Sequence, residues 1–387
     1  MSAAPIRHVL LVTVEDPHNP ASWSGTPFHM RQALEQQFER VTVLSSPVPQ
    51  RGMLDAALRL LLGRTRYPLW MTRTALQAYA RRLEEAVAQH RPDAVLCISS
   101  QHLIFSKPLD VPVYMVSDAP WMAYKQAYRA YEDMPLLAQR YARLEAHAAR
   151  TVDGLVYPTP WACAEAAQRF GPEAAPIHRL PFGANSFCAD SDEQVHGRIL
   201  QRPLQPLRFL FIGKDWERKG GPMAVDVVRA LNQRGVPASL DIVGCNPPLD
   251  TDALRMVRLH GFLSPANALH RARLSQVFAE ADFFLVPSKA ECFGLVFAEA
   301  QSYGLPCIAL GCHGVPGVVD DHTTGLLFDP SAAAQAIAER VQTIVLDPAA
   351  YQQMAMAARH KFTRELNWAA FGRGMHALMN GQPGSAP

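Results

Sequence analysis

Val286-Pro287-Ser288-Lys289-Ala290-Glu291-Cys292-Phe293-Gly294-Leu295-Val296-Phe297-Ala298-Glu299-Ala300 leads from a β-forming run, Phe283 to Val286, through a short turn into a helical stretch that reaches Tyr303. Strand, turn and helix in that order are the repeating unit of a parallel α/β sheet. Gly294 permits a close backbone approach just before the helix, whose first amide groups can hold an anion such as a diphosphate. Glu291 stands in the turn and Glu299 inside the helix, eight residues on. Read from the residues alone, Glu291 could accept hydrogen bonds from sugar hydroxyls and Glu299 from the two ribose hydroxyls of a nucleotide. Equally, Glu291 could be a dipole partner for the helix and Glu299 a surface residue.

Working back from that stretch, the same rhythm recurs. Arg208 to Gly213 reads as a strand, Pro222 to Arg234 as a helix, Ala238 to Gly244 and Val257 to Phe262 as strands, Ala268 to Glu280 as a helix, and Cys307 to Leu310 as a further strand. Directly after the first of these strands comes Gly213-Lys214-Asp215-Trp216-Glu217-Arg218-Lys219-Gly220-Gly221. Cations beside glycines can neutralise a diphosphate, and Lys214 and Lys219 would help most as a leaving nucleotide gains charge. The run is not a P-loop, because a Gly-rich segment ending in Lys-Ser/Thr is missing, and a solvated charged turn is the plainer reading.

The first half alternates in the same way. Strands are expected at His8 to Val14, Val41 to Leu44, Ala94 to Ile98, Val111 to Val116 and Gly154 to Tyr157, with helices at Phe28 to Phe38 and Trp161 to Phe170. Polar residues dilute the pattern between Asp190 and Pro206. The organisation expected is therefore an N-terminal Rossmann-like domain over 1–195, a C-terminal one over 196–365, and a final segment, 366–387, returning towards the first.

Composition narrows the classes of function. A chain of 387 residues, 49% hydrophobic and 19% charged, can build its core without staples. Thirty-seven basic against 35 acidic residues leave a formal charge of +2, which supplies no field for wholesale nucleic-acid binding. Seven scattered cysteines suit a reduced, cytoplasmic setting. The start of the chain reads as a strand rather than a signal peptide, and no run is long enough to span a bilayer. Arg51 to Glu85 holds seven arginines and three acids among leucines and aromatics. It could pack as an ordinary amphipathic helix pair, or hold the protein peripherally at the inner face of a membrane.

Together these stretches resemble the GT-B-fold glycosyltransferases, specifically the retaining group known as glycosyltransferase family 4. The resemblance rests on the Gly25 loop, Pro181-Phe182-Gly183-Ala184-Asn185, the Gly/Lys/Lys turn, the Glu291-to-Glu299 signature, Gly314-Val315-Pro316 and Thr324-Gly325-Leu326-Leu327-Phe328, and it covers Val9 to Phe371. It implies two Rossmann-like domains facing each other across a cleft. It further implies that Lys214 and Lys219 hold the donor diphosphate, Glu299 the ribose and Glu291 the transferred sugar, with Cys292, Phe293, Gly294 and Leu295 touching sugar or phosphate. Gly213 opens the cationic turn, Gly261 stands where the base is selected, and Gly25 lets the first domain's loop close near the phosphates.

This chain departs from the family pattern at three places. Cys292 stands for the usual Gly, Gly317 follows Val315-Pro316 where Glu is common, and Ser117-Asp118 ends a strand where many members have His. Asp118 is thus the candidate catalytic acid or base of the first domain, although it could simply cap its loop; His102 with Gln101 is a second polar candidate. Catalysis is expected from Asp118, Glu291 and Lys219, and the implied reaction moves a hexosyl group from a nucleoside diphosphate sugar to an acceptor hydroxyl with retention. No Asp-x-Asp cluster accompanies the donor motif, so no metal cofactor is implied. A saccharide, lipid-linked or small-molecule acceptor is open, as are two other classes, an inactive sugar-nucleotide-binding partner and a GT-B-like epimerase.

Overall fold

The structure is a computed structural model that describes residues 4–46, 69–264 and 267–382. It divides into two compact units. One holds the chain up to Leu180 together with the stretch from Phe371 on, and the other is Pro181–Ala370.

Among the described residues each unit carries one six-stranded sheet. In the first, β1 (His8–Thr13), β2 (Arg40–Ser45), β3 (Ala94–Ile98), β4 (Val113–Val116), β5 (Gly154–Tyr157) and β6 (Ile177–Arg179) lie in the order β2-β1-β3-β4-β5-β6. In the second, β7 (Leu207–Ile212), β8 (Ala238–Val243), β9 (Val257–Gly261), β10 (Phe283–Leu285), β11 (Cys307–Leu310) and β12 (Gly325–Phe328) lie in the order β12-β11-β10-β7-β8-β9. Every neighbouring pair is parallel. This follows from composition: Val9–Val12, Val95–Cys97 and Phe283–Leu285 are wholly buried, as apolar runs must be when helices cover both faces of a sheet.

The strand order fixes where ligands can sit. In the second sheet the chain winds outward from β7 to β8 and β9, then returns to place β10 on the other side of β7. β7 and β10 thus flank a topological switch point, where ligands bind at the carboxyl ends of the strands.

Two expectations are corrected. The polar segment Asp190 to Pro206 does not separate domains. It carries helix Asp192–Gln201, opened by a capping box in which Ser191 and Gln194 exchange side-chain and backbone hydrogen bonds. Arg359 fastens it, donating to Asp192 Oδ1 at 2.7 Å and to the Asp190 carbonyl at 2.8 Å. The residues that diluted the hydrophobic pattern are polar because they start a helix, and the division falls earlier, at Leu180/Pro181. The final segment also begins later than 366. Helix Trp368–Met379 joins the first unit only from Phe371, where His376 meets Phe38 at 5.3 Å between ring centroids.

Of the arginine-rich stretch, residues 51–68 lie outside the described residues. The remainder is helix Arg73–His90, capped by Thr72 and burying Leu76, Tyr79 and Leu83 in its own unit. No helix among the described residues is long and apolar enough to cross a membrane.

One contact locks the two loops of the second sheet. Gly220 has φ +77°, and a Cβ there would lie 2.1 Å from the Pro287 carbonyl oxygen. Gly220→Ala is expected to destabilise the protein by about 2–4 kcal/mol, combining left-handed strain with a backbone collision. Gly235 has the same φ of +77° but open space around it. Gly235→Ala should cost only the strain, about 1–2 kcal/mol. Urea unfolding followed by far-UV circular dichroism compares them, and equal losses would refute the contact's importance.

Candidate functional site

The crevice of the second unit is built around a buried carboxylate. Glu291 follows β10, Lys219 and Arg218 follow β7, and the pairing of Phe283 with Phe209 and Phe284 with Leu210 aligns those strands so that their loops meet. Glu291 Oε1 accepts from Lys219 Nζ at 2.5 Å, from Ser288 Oγ at 3.0 Å and from Arg218 Nη1 at 3.3 Å. Arg218 also donates to the Ala290 carbonyl at 2.8 Å, and its own carbonyl accepts from Lys289 N at 2.8 Å. Glu291 is 5% exposed. Burial pushes its pKa up, but Lys219, Arg218 and the Ser288 hydroxyl outweigh burial, so the carboxyl titrates below its usual range. An ionised carboxylate is kept indoors because its counter-charges came with it.

Beside it starts helix Leu295–Ser302. Gly294, at φ +85°, precedes it with no side-chain cap, so no capping side chain claims its first amide groups. Glu299 lies in the second turn, half-buried, and accepts from Ser186 N at 3.2 Å. Protein atoms crowd its carboxyl, and that burial raises its pKa to about 7 against the opposing pull of the Ser186 amide, Lys219 and the Asn185 amide. Pro181-to-Asn185 therefore sits in this unit. Phe182 contacts Phe293 at 5.5 Å and stacks on Trp368 at 5.8 Å, while Trp368 Nε1 donates to Asn185 Oδ1 at 2.8 Å.

The other donor candidates take distinct places. Gly213 leaves room for Lys219, whose Cγ would be 2.8 Å from any Cβ at that position. Cys292 is buried, so the thiol fits where a smaller residue is usual. Gly314 N donates to the Glu291 carbonyl at 2.9 Å, which draws Gly314-Val315-Pro316 to the same turn. Lys214 does not join the Glu291 cluster. It is exposed, with its ammonium 4.5 Å from the centre of the Phe262 ring, next to Gly261 at the end of β9.

Gly25 and Asp118 belong to the first unit. Gly25, at φ +89°, opens helix Thr26–Glu35. Asp118 follows β4, and burial raises its pKa to about 6 against the Ala119 amide. Glu145, which no local motif marks, is buried nearby and accepts from Trp121 N at 2.9 Å, with its pKa pushed by burial to about 8. His102 is wholly buried, neither ring nitrogen has a hydrogen-bond partner among the described residues, and burial lowers its pKa to about 4. It is a neutral ring against Tyr79 at 5.0 Å. The aromatic run from Trp121 packs largely on itself: Trp121 lies 5.2 Å from Tyr131 and 5.3 Å from Tyr141, and Tyr124 stacks on Tyr128 at 4.8 Å.

Sequence reasoning overlooked Arg218 and Ser288 as partners of Glu291, although both stood in the stretches it quoted. A sequence does not say which cation turns inward. Among the described residues no group of three or more His, Cys, Asp or Glu is placed to hold a metal ion.

The family match falls on the same unit. Residues 206–347 match the family model described as glycosyl transferases group 1. Over 235 residues the chain is 28% identical to the GDP-mannose-dependent alpha-(1-6)-phosphatidylinositol monomannoside mannosyltransferase of Mycolicibacterium smegmatis, covering 56% of this chain and 59% of that protein. Over 198 residues it is 32% identical to the D-inositol 3-phosphate glycosyltransferase of Corynebacterium glutamicum, covering 47% and 45%. The chain thus spans about half the length of the curated relatives it matches. Among solved structures, sucrose-phosphate synthase from Thermosynechococcus elongatus superposes with a TM-score of 0.67 at 18% identity over 97% of this chain and 98% of that one. HepE from Anabaena in complex with UDP does so with 0.63 at 16% identity over 97% and 100%. Those likenesses concern the fold, and the family match lies within the second unit; the chain has a GT-B fold and is related to the group 1 nucleotide-sugar glycosyltransferases.

Proposed function

We propose that the chain is a retaining, nucleotide-sugar-dependent hexosyltransferase whose donor site is the crevice of the second unit. The observation that supports this best is the buried, ionised Glu291 held by Lys219 and Arg218 beside an uncapped helix start that carries Glu299. Each part has a task in binding a nucleoside diphosphate sugar. The amides at Phe293, Gly294 and Leu295 and the ammonium of Lys219 receive the diphosphate. Glu299 accepts from the ribose diol, Glu291 from sugar hydroxyls, and Lys214 adds charge at the crevice rim, near the base region at Gly261. On the first unit, Asp118 accepts a hydrogen bond from a substrate hydroxyl.

In the proposed reaction the bond from the anomeric carbon to the phosphate oxygen breaks and the bond to the acceptor oxygen forms on the same face. The acceptor's proton passes to the departing phosphate. No covalent enzyme intermediate forms; of the two signature carboxylates, Glu299 is assigned to ribose and Glu291 is already engaged by cations, so neither serves as nucleophile. Lys219 meets the growing negative charge of the leaving group, which supports its being worth more in the transition state than in binding. The names of the two curated relatives span a lipid-linked and a small phosphorylated acceptor, and both classes are proposed for this chain. A screen of nucleotide sugars by product mass, with proton NMR of the anomeric centre, tests the proposal. An inverted product would end the retaining assignment, and donor turnover without any transferred sugar would end the transferase assignment.

Glu299 makes donor binding depend on pH. A ribose diol donates two hydrogen bonds, which the ionised carboxylate accepts fully and the protonated acid does not. With a free-site pKa of about 7, the group must lose a proton on binding below that value. Nucleotide affinity should therefore rise from pH 6 to pH 8, by up to about tenfold per pH unit at the acidic end. Calorimetry in two buffers of different ionisation enthalpy should show proton release near neutrality. Glu299→Gln should bind about 10- to 100-fold more weakly at pH 8 and lose the pH dependence. A pH profile unchanged in the variant would remove Glu299 from the ribose.

For Lys219→Ala, kcat should fall by about 10²–10³-fold, while nucleotide affinity falls by less than about tenfold. Steady-state kinetics with parallel calorimetry separates the two. Equal losses would mean that Lys219 only binds.

A further inference from the structure

A cavity of about 670 Å³ lies in the second unit at the amino ends of β7 and β10, whereas Glu291 and its partners stand at the carboxyl ends. β7 runs for six residues, so about 20 Å separates the two at roughly 3.3 Å per residue. Helix Asp192–Gln201, the turn that follows it, the start of β7 and the end of helix Ala268–Glu280 line the cavity. Three arginines face it, Arg198, Arg202 and Arg208, against two acids, Glu280 and Asp282. The protein compensates these cations loosely. The Arg202 side chain is only 7% exposed and donates to the Ala279 carbonyl at 2.7 Å, yet it stands 3.5 Å from Asp282 Oδ1. Arg208 likewise stands 3.5 Å from Glu280 Oε2. Arg198 pairs with Asp190 at 2.9 Å, but its Nε is buried without a hydrogen-bond partner among the described residues. Burial lifts the Asp282 carboxyl to about 6, against the Arg208 amide and the guanidinium groups of Arg202 and Arg208. A buried cation ordinarily keeps its counter-charge in contact.

We propose that this cavity binds a phosphorylated monosaccharide. The lining carries one positive charge in excess, three arginines against two acids. Several guanidinium forks can share the oxygens of one phosphoryl group, and a ligand that enters the cavity can approach them more closely than the two fixed carboxylates do. The rest of the lining suits a polyol. The carboxamides of Gln201 and Gln205 both donate to and accept from hydroxyls, while Pro203 and Ala279 offer apolar surface to the C–H face of a ring. The volume is that of a small-ligand site, roughly 300–1,000 Å³. A nucleic acid would need a run of phosphate contacts and a protein partner an apolar patch, and one concave polar cluster supplies neither. The inference is independent of the transfer reaction and of the donor assignments.

The test is isothermal titration calorimetry of the full chain with glucose 6-phosphate, inorganic phosphate and glucose. Glucose 6-phosphate should bind about tenfold more tightly than inorganic phosphate, and glucose not measurably, because charged hydrogen bonds carry most of the affinity. Arg208→Gln should weaken binding about 10- to 100-fold. It retains the Arg208 amide that donates to Asp282, so the fold should be kept. Gly197 lines the same cavity, and a Cβ there would meet nothing within 4 Å. Gly197→Leu therefore fills the space without a collision; it should abolish binding and melt at or above the wild-type temperature, since leucine favours a helix over glycine. Lys219→Ala should leave glucose 6-phosphate binding unchanged, which separates the cavity from the Glu291 cluster. Absence of binding by both anions at millimolar concentration overturns the proposal. So does binding that Lys219→Ala removes while Arg208→Gln and Gly197→Leu keep it. Inorganic phosphate binding as tightly as glucose 6-phosphate would reduce the cavity to a bare anion site, and overturns it as well.

Discussion

One carboxylate oxygen organises the second unit. Glu291 Oε1 receives an ammonium, a guanidinium and a hydroxyl, and those donors come from the loops after two neighbouring strands. Removing an ion from water costs several kcal/mol, so such a group persists only where compensating charges are fixed around it. Fixing them holds the loops together: Gly220 presses on the Pro287 carbonyl, Arg218 reaches Ala290, and Gly314 donates to the Glu291 carbonyl. Positioned charge of this kind needs no reorganisation when it acts.

The acids of the two units solve burial in opposite ways. Glu291 is compensated and stays ionised below its usual range. Asp118, Glu145 and Glu299 are enclosed with weaker compensation, and burial lifts them to about 6, 8 and 7. Glu145 receives a helix-start amide from Trp121 and feels the charge of Arg169, but burial outweighs both, so it is a neutral acid at moderate pH. Glu299 has Lys219 within electrostatic reach. Its charge state is balanced near neutrality, where a ligand that donates hydrogen bonds can tip it.

The relatives place the sequence signal unevenly. The family model matches only residues 206–347, whereas likeness of fold extends over nearly the whole chain. In the first unit buried apolar runs carry the sheet, and the loops at its strand ends hold polar residues such as the enclosed Asp118 after β4. Loops at strand ends can change without cost to the buried runs that pair the strands.

Much of this was legible from the residues themselves. Cys307–Leu310 and Gly154–Tyr157 were bounded correctly because buried strands are unbroken apolar runs; Ala268–Glu280 was bounded correctly as well, although it buries only Val277 and Phe278. The cationic turn and the Glu291-to-Glu299 spacing stood out for the same local reason: a glycine, a turn and a helix start are written in consecutive residues. What local reading could not decide was direction and company. The polar run around Ser191 looks the same whether it caps a helix or links two domains. Lys214 and Lys219 are both lysines of one turn, yet only Lys219 faces the buried acid, and Glu145 meets the helix start at Trp121 from 24 residues away. The sequence by itself determined the alternation of strands and helices and the stock of charged groups at their ends, because those depend on short-range periodicity. Only the tertiary structure decided which charges are buried together, because burial and pKa depend on strand order, and strand order brings side chains distant in sequence within hydrogen-bond reach.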